Sequence, residues 1–133
     1  MRRFVLALAA VTALTGPVLA KDEAPTPPTT VRFAPVPQDA VLSYNLIGLN
    51  VVDGTKSNVG EIKDLVIEKG KLSGYIVSVG GFLGLGERYV VIDPSSVALA
   101  YDADAKKWKA SVNASKDAPK AAPEFKYDGK FKR

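Results

Sequence analysis

Apolar and polar positions alternate with a period of two through most of the chain between Leu46 and Val112, and six short stretches carry the pattern. Ile47, Leu49 and Val51 face one way against Gly48, Asn50 and Val52, the signature of a half-buried strand. Asp53-Gly54 supplies turn chemistry, and Gly60 to Glu68, GEIKDLVIE, is the second run. Its Leu65, Val66 and Ile67 are consecutive, which predicts a bulge, strong twist or burial on both faces. A helix competes for this run, but its β-branched residues and its length between Gly60 and Gly70 favour a strand. After a tight turn at Lys69-Gly70-Lys71, Tyr75, Val77 and Val79 share one face of a third strand, opposite Leu72, Gly74, Ile76 and Ser78. A fourth spans Glu87 to Ile92 and stops at Asp93-Pro94, because proline cannot donate to a ladder. Val97, Leu99 and Tyr101 mark the fifth. Trp108, Ala110 and Val112 alternate with Lys107, Lys109 and Ser111 in the sixth, the clearest strand with one wet face. Six short strands at this spacing predict an all-β domain, a small antiparallel barrel or sandwich.

Between the third and fourth strands lies a loop in which Gly80, Gly81, Gly84 and Gly86 surround Phe82, Leu83 and Leu85. Its glycine spacing reverses the dinucleotide-binding order and a strand, not a helix, follows, so no helix N-terminus awaits a phosphate. The expected role is structural: glycine permits positive φ and close backbone approach where a barrel turns a corner. Phe82, Leu83 and Leu85 then either plug the barrel end or form an exposed contact site, and plugging is favoured because so small a core needs every large apolar group.

Outside the patterned region, residues 1–20 have the three parts of a secretory signal: Arg2 and Arg3, an apolar run from Phe4 to Leu14, and Val18 and Ala20 placed for cleavage after Ala20. The apolar run is shorter than the roughly 20 residues a spanning helix needs. Residues 21–45 hold five of the nine prolines and read as a semi-rigid linker, in which Val31, Phe33 and Val36 are apolar groups able to pack on the barrel. Residues 46–112 form the barrel. Residues 113–133 are a basic extension in which Phe125, Tyr127 and Phe131 alternate with lysines; Pro119 and Pro123 limit it to about one helical turn, capped by Ser115 through Ala118. A frayed or self-docked tail is the default there, and docking on a partner or an anionic surface is the functional alternative.

Composition narrows the chemistry. The chain has no cysteine and no histidine, which removes disulfides, thiol nucleophiles, imidazole bases and the usual zinc, haem and iron–sulfur ligands. The formal charge is +4, and removal of Arg2 and Arg3 leaves 16 basic against 14 acidic residues. Such a balance argues against nucleic acid as a partner. Asp102-x-Asp104 begins like a calcium loop, yet lysines and Trp108 follow in place of glycine and oxygen ligands, so a hairpin turn is expected. The serines have no activating base. No catalytic, cofactor-binding or metal-ligating residue is assigned.

Several ordered motifs resemble the PRC-barrel family: Leu46-Ile47-Gly48 with Asn50-Val51-Val52, Val59-Gly60-Glu61-Ile62 with Asp64-Leu65, the Gly80 to Glu87 loop, and Val90 to Pro94. The resemblance covers roughly residues 46–100, continues more loosely through the Trp108 strand and Ala122 to Phe125, and is nearest to exported single-domain alphaproteobacterial members. It implies a small, strongly bent β-barrel acting as an adaptor or interaction module, without family-wide catalytic residues. The expectation is therefore a non-enzymatic periplasmic module with an unidentified protein partner. Its candidate contact residues are Phe82, Leu83, Leu85, Phe125, Tyr127 and Phe131. Association of the basic aromatic tail with an anionic envelope surface is the alternative reading, self-association is a further one, and a small-ligand or metal-binding barrel ranks below them.

Overall fold

A computed structural model describes Gly16 and residues 24–80, 86–114 and 118–133. The chain divides into two units, Met1–Pro35 and Val36–Arg133. In the first, residues 24–35 lack regular structure and are exposed, Phe33 at 94%. The cleavage site expected after Ala20 lies outside the described residues.

The second unit is nearly all β. Its elements are a helical turn α1 (Ser43–Leu46), strands β1 (Asn50–Val52), β2 (Asn58–Glu68), β3 (Lys71–Val79), β4 (Arg88–Ile92), β5 (Val97–Asp102) and β6 (Lys107–Val112), and a second helical turn α2 (Ala118–Ala121). The strands form one sheet in the order β4-β3-β2-β1-β6-β5. It is not closed: β4 and β5 are its two edges, although only a 3-10 turn at Pro94–Ser96 separates them in sequence. The sheet is also mixed where an antiparallel one was expected, for β1 runs parallel to β6, with Val51 opposite Ala110. Parallel neighbours need a long crossover, and here the hairpin β2–β3 with β4 and β5 provides it.

The first strand differs from its expected span. Leu46 closes α1 and is buried in the core, Gly48 has φ +89°, and the ladder starts only at Asn50. Across residues 46–49 Leu46 is buried, Leu49 is half-buried and Ile47 is exposed, so Ile47 does not share the inward face expected with Leu49 and Val51. Gly48 and Leu49 already exchange backbone hydrogen bonds with Ile62 of β2. The second strand shows the irregularity its apolar triplet announced, with register shifts between Ile62 and Asp64 and between Val66 and Ile67. These bend β2 and let the sheet curl.

Curling brings every strand to one core. The fully buried Val51, Ile62, Val77 and Val90 come from β1, β2, β3 and β4, while Val97 and Val112 join them from β5 and β6. Each large aliphatic group removed from water contributes about 1.5–3 kcal/mol before entropy is counted. Tyr75, Val77 and Val79 point into this core, as their alternation requires. Ile76 on the opposite face is just as inaccessible, so β3 is covered on both sides. Close approach within the sheet depends on Gly60, where a Cβ would lie 2.4 Å from the Ser78 carbonyl oxygen. The β2–β3 turn has positive φ at both Lys69 and Gly70, the primed geometry that matches strand twist.

Candidate functional site

The second cover on β3 comes from the C-terminal segment. After α2, Ala122 packs against the core and its carbonyl accepts a hydrogen bond from Arg88 Nη2 at 3.0 Å. The Phe125 amide then donates to the Tyr89 carbonyl at 2.7 Å, an isolated antiparallel bridge along the outer edge of β4. Tyr127 stands edge-on to Tyr89 and to Phe125, with ring centroids 5.1 and 5.0 Å away, and Phe131 reaches Phe125 at 5.9 Å. Such aromatic pairs are worth about 0.5–1.5 kcal/mol each beyond the area they bury. Of the sequence-derived contact residues, Phe125 and Tyr127 are therefore half-buried against the molecule's own sheet, and Phe131 is more exposed. A helical turn is found at Ala118–Ala121, across Pro119, where the expected turn ran from Ser115 to Ala118; residues 115–117 lie outside the described residues, as do Phe82, Leu83 and Leu85 with Gly81 and Gly84. Gly80 and Gly86, at the loop's two ends, have φ +70° and +78°, the conformations glycine was expected to supply there.

The sheet's two edges are treated differently. The bridge to Phe125 covers part of β4, whereas β5 has no strand partner beyond β6 among the described residues. On β5, Ala98, Ala100 and Tyr101 are exposed, so the unpaired backbone groups have little side-chain bulk beside them. An unprotected edge of this kind is a template for another chain's strand. At its end Tyr101 pairs across the ladder with Trp108, ring centroids 5.4 Å apart. The parallel pairing of β1 with β6 sets the start of β1 beside Trp108, and a groove of about 740 Å³ runs there between Leu49, Asn50, Ala98, Ala100 and Trp108. Ile47 and Tyr44, the latter 89% exposed, lie just before β1. Trp and Tyr dominate interface energetics because they bury large, rigid, partly polar surfaces.

This edge-and-aromatic site was not singled out in the sequence. Its signal was present in Trp108 opening the best-patterned strand and Tyr101 closing the preceding one, but their pairing needs the hairpin register. The turn joining them is fixed by Asp102, whose Oδ1 accepts from the amides of Asp104 and Ala105, while Oδ2 meets Lys109 Nζ at 2.9 Å. Lys109 holds the Asp102 carboxyl below the usual carboxylate range, helped by those amides. The turn is a hairpin, and no group of three or more metal-ligating side chains gathers among the described residues. Asp93 similarly accepts from the hydroxyl and amide of Ser95, which lower its pKa, and stops the fourth strand.

Ser78, nearly buried on the outer face of β3, donates to Glu87 beside the glycine loop. A polar cleft of about 410 Å³ adjoins them, edged by Asn50, Asn58 and Glu61. Glu61 is already neutralised by Lys63 at 3.2 Å. The cleft thus holds two carboxylates, Glu61 paired with Lys63 and Glu87 accepting from Ser78.

The family model for the PRC-barrel domain matches residues 38–119. The chain belongs to the PRC-barrel domain family. The match starts ahead of α1 and ends within α2, so the PRC-barrel domain takes in the whole sheet but not the aromatic tail segment. Comparison with curated proteins gave no significant match.

Proposed function

We propose that this PRC-barrel protein is a non-enzymatic interaction module that acts in the periplasm and engages a protein partner through the β5 edge and the Tyr101–Trp108 pair. The unpaired β5 edge carries the reading, because it offers backbone hydrogen bonds next to a ready aromatic anchor. The signal-like residues 1–20 support export. No helix among the described residues is long and apolar enough to cross a membrane. Purified protein should retain a discrete partner from envelope extract, and Trp108→Ser with Tyr101→Ser should abolish retention without unfolding the sheet. Unchanged retention by the double variant, or turnover of a defined substrate by a protein that retains no partner, would overturn the reading. N-terminal sequencing of protein recovered from the periplasm should start at Lys21.

One observation favours a second reading, attachment to an anionic envelope surface. Lys126, Lys130, Lys132 and Arg133 are all exposed on a tail whose Phe125 and Tyr127 are half-buried against the sheet. Co-sedimentation with anionic vesicles that survives deletion of residues 122–133 would reject it.

A further inference from the structure

The tail does not lie flush on the sheet. Between it and the outer face of β2, β3 and β4 is a cavity of about 550 Å³, inside the range of small-ligand pockets. Its floor is apolar, built from Val66, Ile67, Ile76 and Val91, and its roof is formed by Phe125, Tyr127 and Phe131. Ile67 is 61% exposed and Val91 is also exposed, so the floor retains apolar surface that the tail leaves open.

The rim is cationic. Lys130, Lys132 and Arg133 line the mouth, and Asp64 is the one acidic side chain among the lining residues. Two of these cations are held near aromatic rings, with Lys130 Nζ 5.1 Å from the Phe131 centroid and the Arg133 guanidinium 4.9 Å from that of Tyr127. Those contacts place positive charge at the edge of the apolar floor at modest energetic cost. We infer that this cavity is a binding site for an anionic amphiphile, a single apolar chain under the aromatic roof with its carboxylate or comparable acid group at Lys130, Lys132 and Arg133.

A wholly apolar ligand would leave the cationic rim unused, and a small inorganic anion would leave the floor wet. Only a molecule with both parts satisfies both surfaces. Because the family match ends at residue 119, the floor belongs to the matched domain, whereas the aromatic roof and the three cations belong to the segment beyond it.

The test is titration of the full protein with decanoate below its micellar range, followed by methyl NMR, with uncharged decanol as the control. Decanoate should bind saturably at one site and shift the methyl signals of Ile67, Ile76 and Val91, with decanol weaker by about tenfold. Combined Lys130→Glu, Lys132→Glu and Arg133→Glu should weaken decanoate by about tenfold or more and leave decanol unchanged, since these exposed side chains do not hold the sheet. Ile67→Trp, which fills the floor, should weaken both ligands while thermal unfolding shows the sheet intact. Equal affinity for decanoate and decanol, shifts confined to other faces, or decanoate binding unaffected by charge reversal would each overturn the assignment. So would sedimentation with phosphatidylglycerol vesicles in the absence of saturable decanoate binding, which would assign the cations to a lipid surface instead.

Discussion

Two glycines inside the sheet show how surroundings decide a substitution. At Gly60 an added Cβ meets the Ser78 carbonyl at 2.4 Å, a backbone atom fixed in the ladder, together with Val77 Cγ1 at 2.6 Å. At Gly74 it meets Val91 Cγ1 at 2.5 Å, but Val91 is exposed and free to change rotamer. Gly60→Ala should cost about 2–3 kcal/mol in chemical denaturation and Gly74→Ala about 1 kcal/mol or less. Equal costs would mean that the sheet relaxes at Gly60. Tyr127 offers a second residue-scale case. Its hydroxyl is buried without a hydrogen bond of normal geometry among the described residues, and burial, reinforced by the charge of Asp64, raises its pKa. Burial raises that of Tyr75 too. The folded state then holds these phenolic protons more tightly than the unfolded chain. The stability tied to them is complete below about pH 10, the free tyrosine value, and is lost as pH climbs through the raised folded values. Denaturant midpoints measured across that range should fall for the parent protein and fall less for Tyr75→Phe with Tyr127→Phe. At neutral pH, Tyr127→Phe alone should be neutral or stabilise by up to about 1 kcal/mol, because it removes an unsatisfied polar group.

At the scale of elements, the C-terminal segment behaves as an irregular seventh strand. It meets β4 by one backbone bridge, takes the Arg88 hydrogen bond and lays three aromatic rings beside Tyr89 and Ile76. Removing residues 122–133 should lower stability by about 2–4 kcal/mol, the scale of a few aromatic contacts and their buried area, with hydrogen exchange accelerated first in β4. Exchange unchanged in β4 would show that the tail adds nothing to the sheet. The β2–β3 turn makes the opposite kind of prediction: Lys69→Asn, which suits positive φ better than lysine, should stabilise by about 0.5 kcal/mol. These elements also show what the sequence could and could not convey. Strands β3 to β5 were legible because they stop at Gly80, at Asp93-Pro94 and at Asp102, and β6 because Trp108, Ala110 and Val112 alternate with Lys107, Lys109 and Ser111. The bulged β2 was legible through its apolar triplet. The span of β1 was misread because Leu46, Ile47 and Leu49 keep the apolar content of a strand while the backbone turns at Gly48. Pairing partners, including the parallel β1–β6 contact, are long-range facts that no local pattern encodes. The aromatic tail residues were visible as a cluster, but only the fold shows that Phe125 and Tyr127 spend their surface on β4.

For the molecule as a whole, the asymmetry between its two sheet edges is the feature that bears on function. One edge is partly covered by the chain's own tail, while among the described residues the other is left unpaired beside Tyr101 and Trp108. A domain this size gains nothing for its core from an uncovered edge, and the proposed partner strand would complete it. The same asymmetry separates the proposed roles in space: protein contact at β5, and amphiphile binding under the tail beside β4. The most direct measurement is photo-crosslinking in intact cells, with a photoreactive phenylalanine placed in turn at Tyr101 and at Ile67, both exposed. A discrete protein adduct of one mass is expected from position 101 and none of that mass from position 67. Absence of any protein adduct at position 101, or the same adduct from both positions, would contradict it.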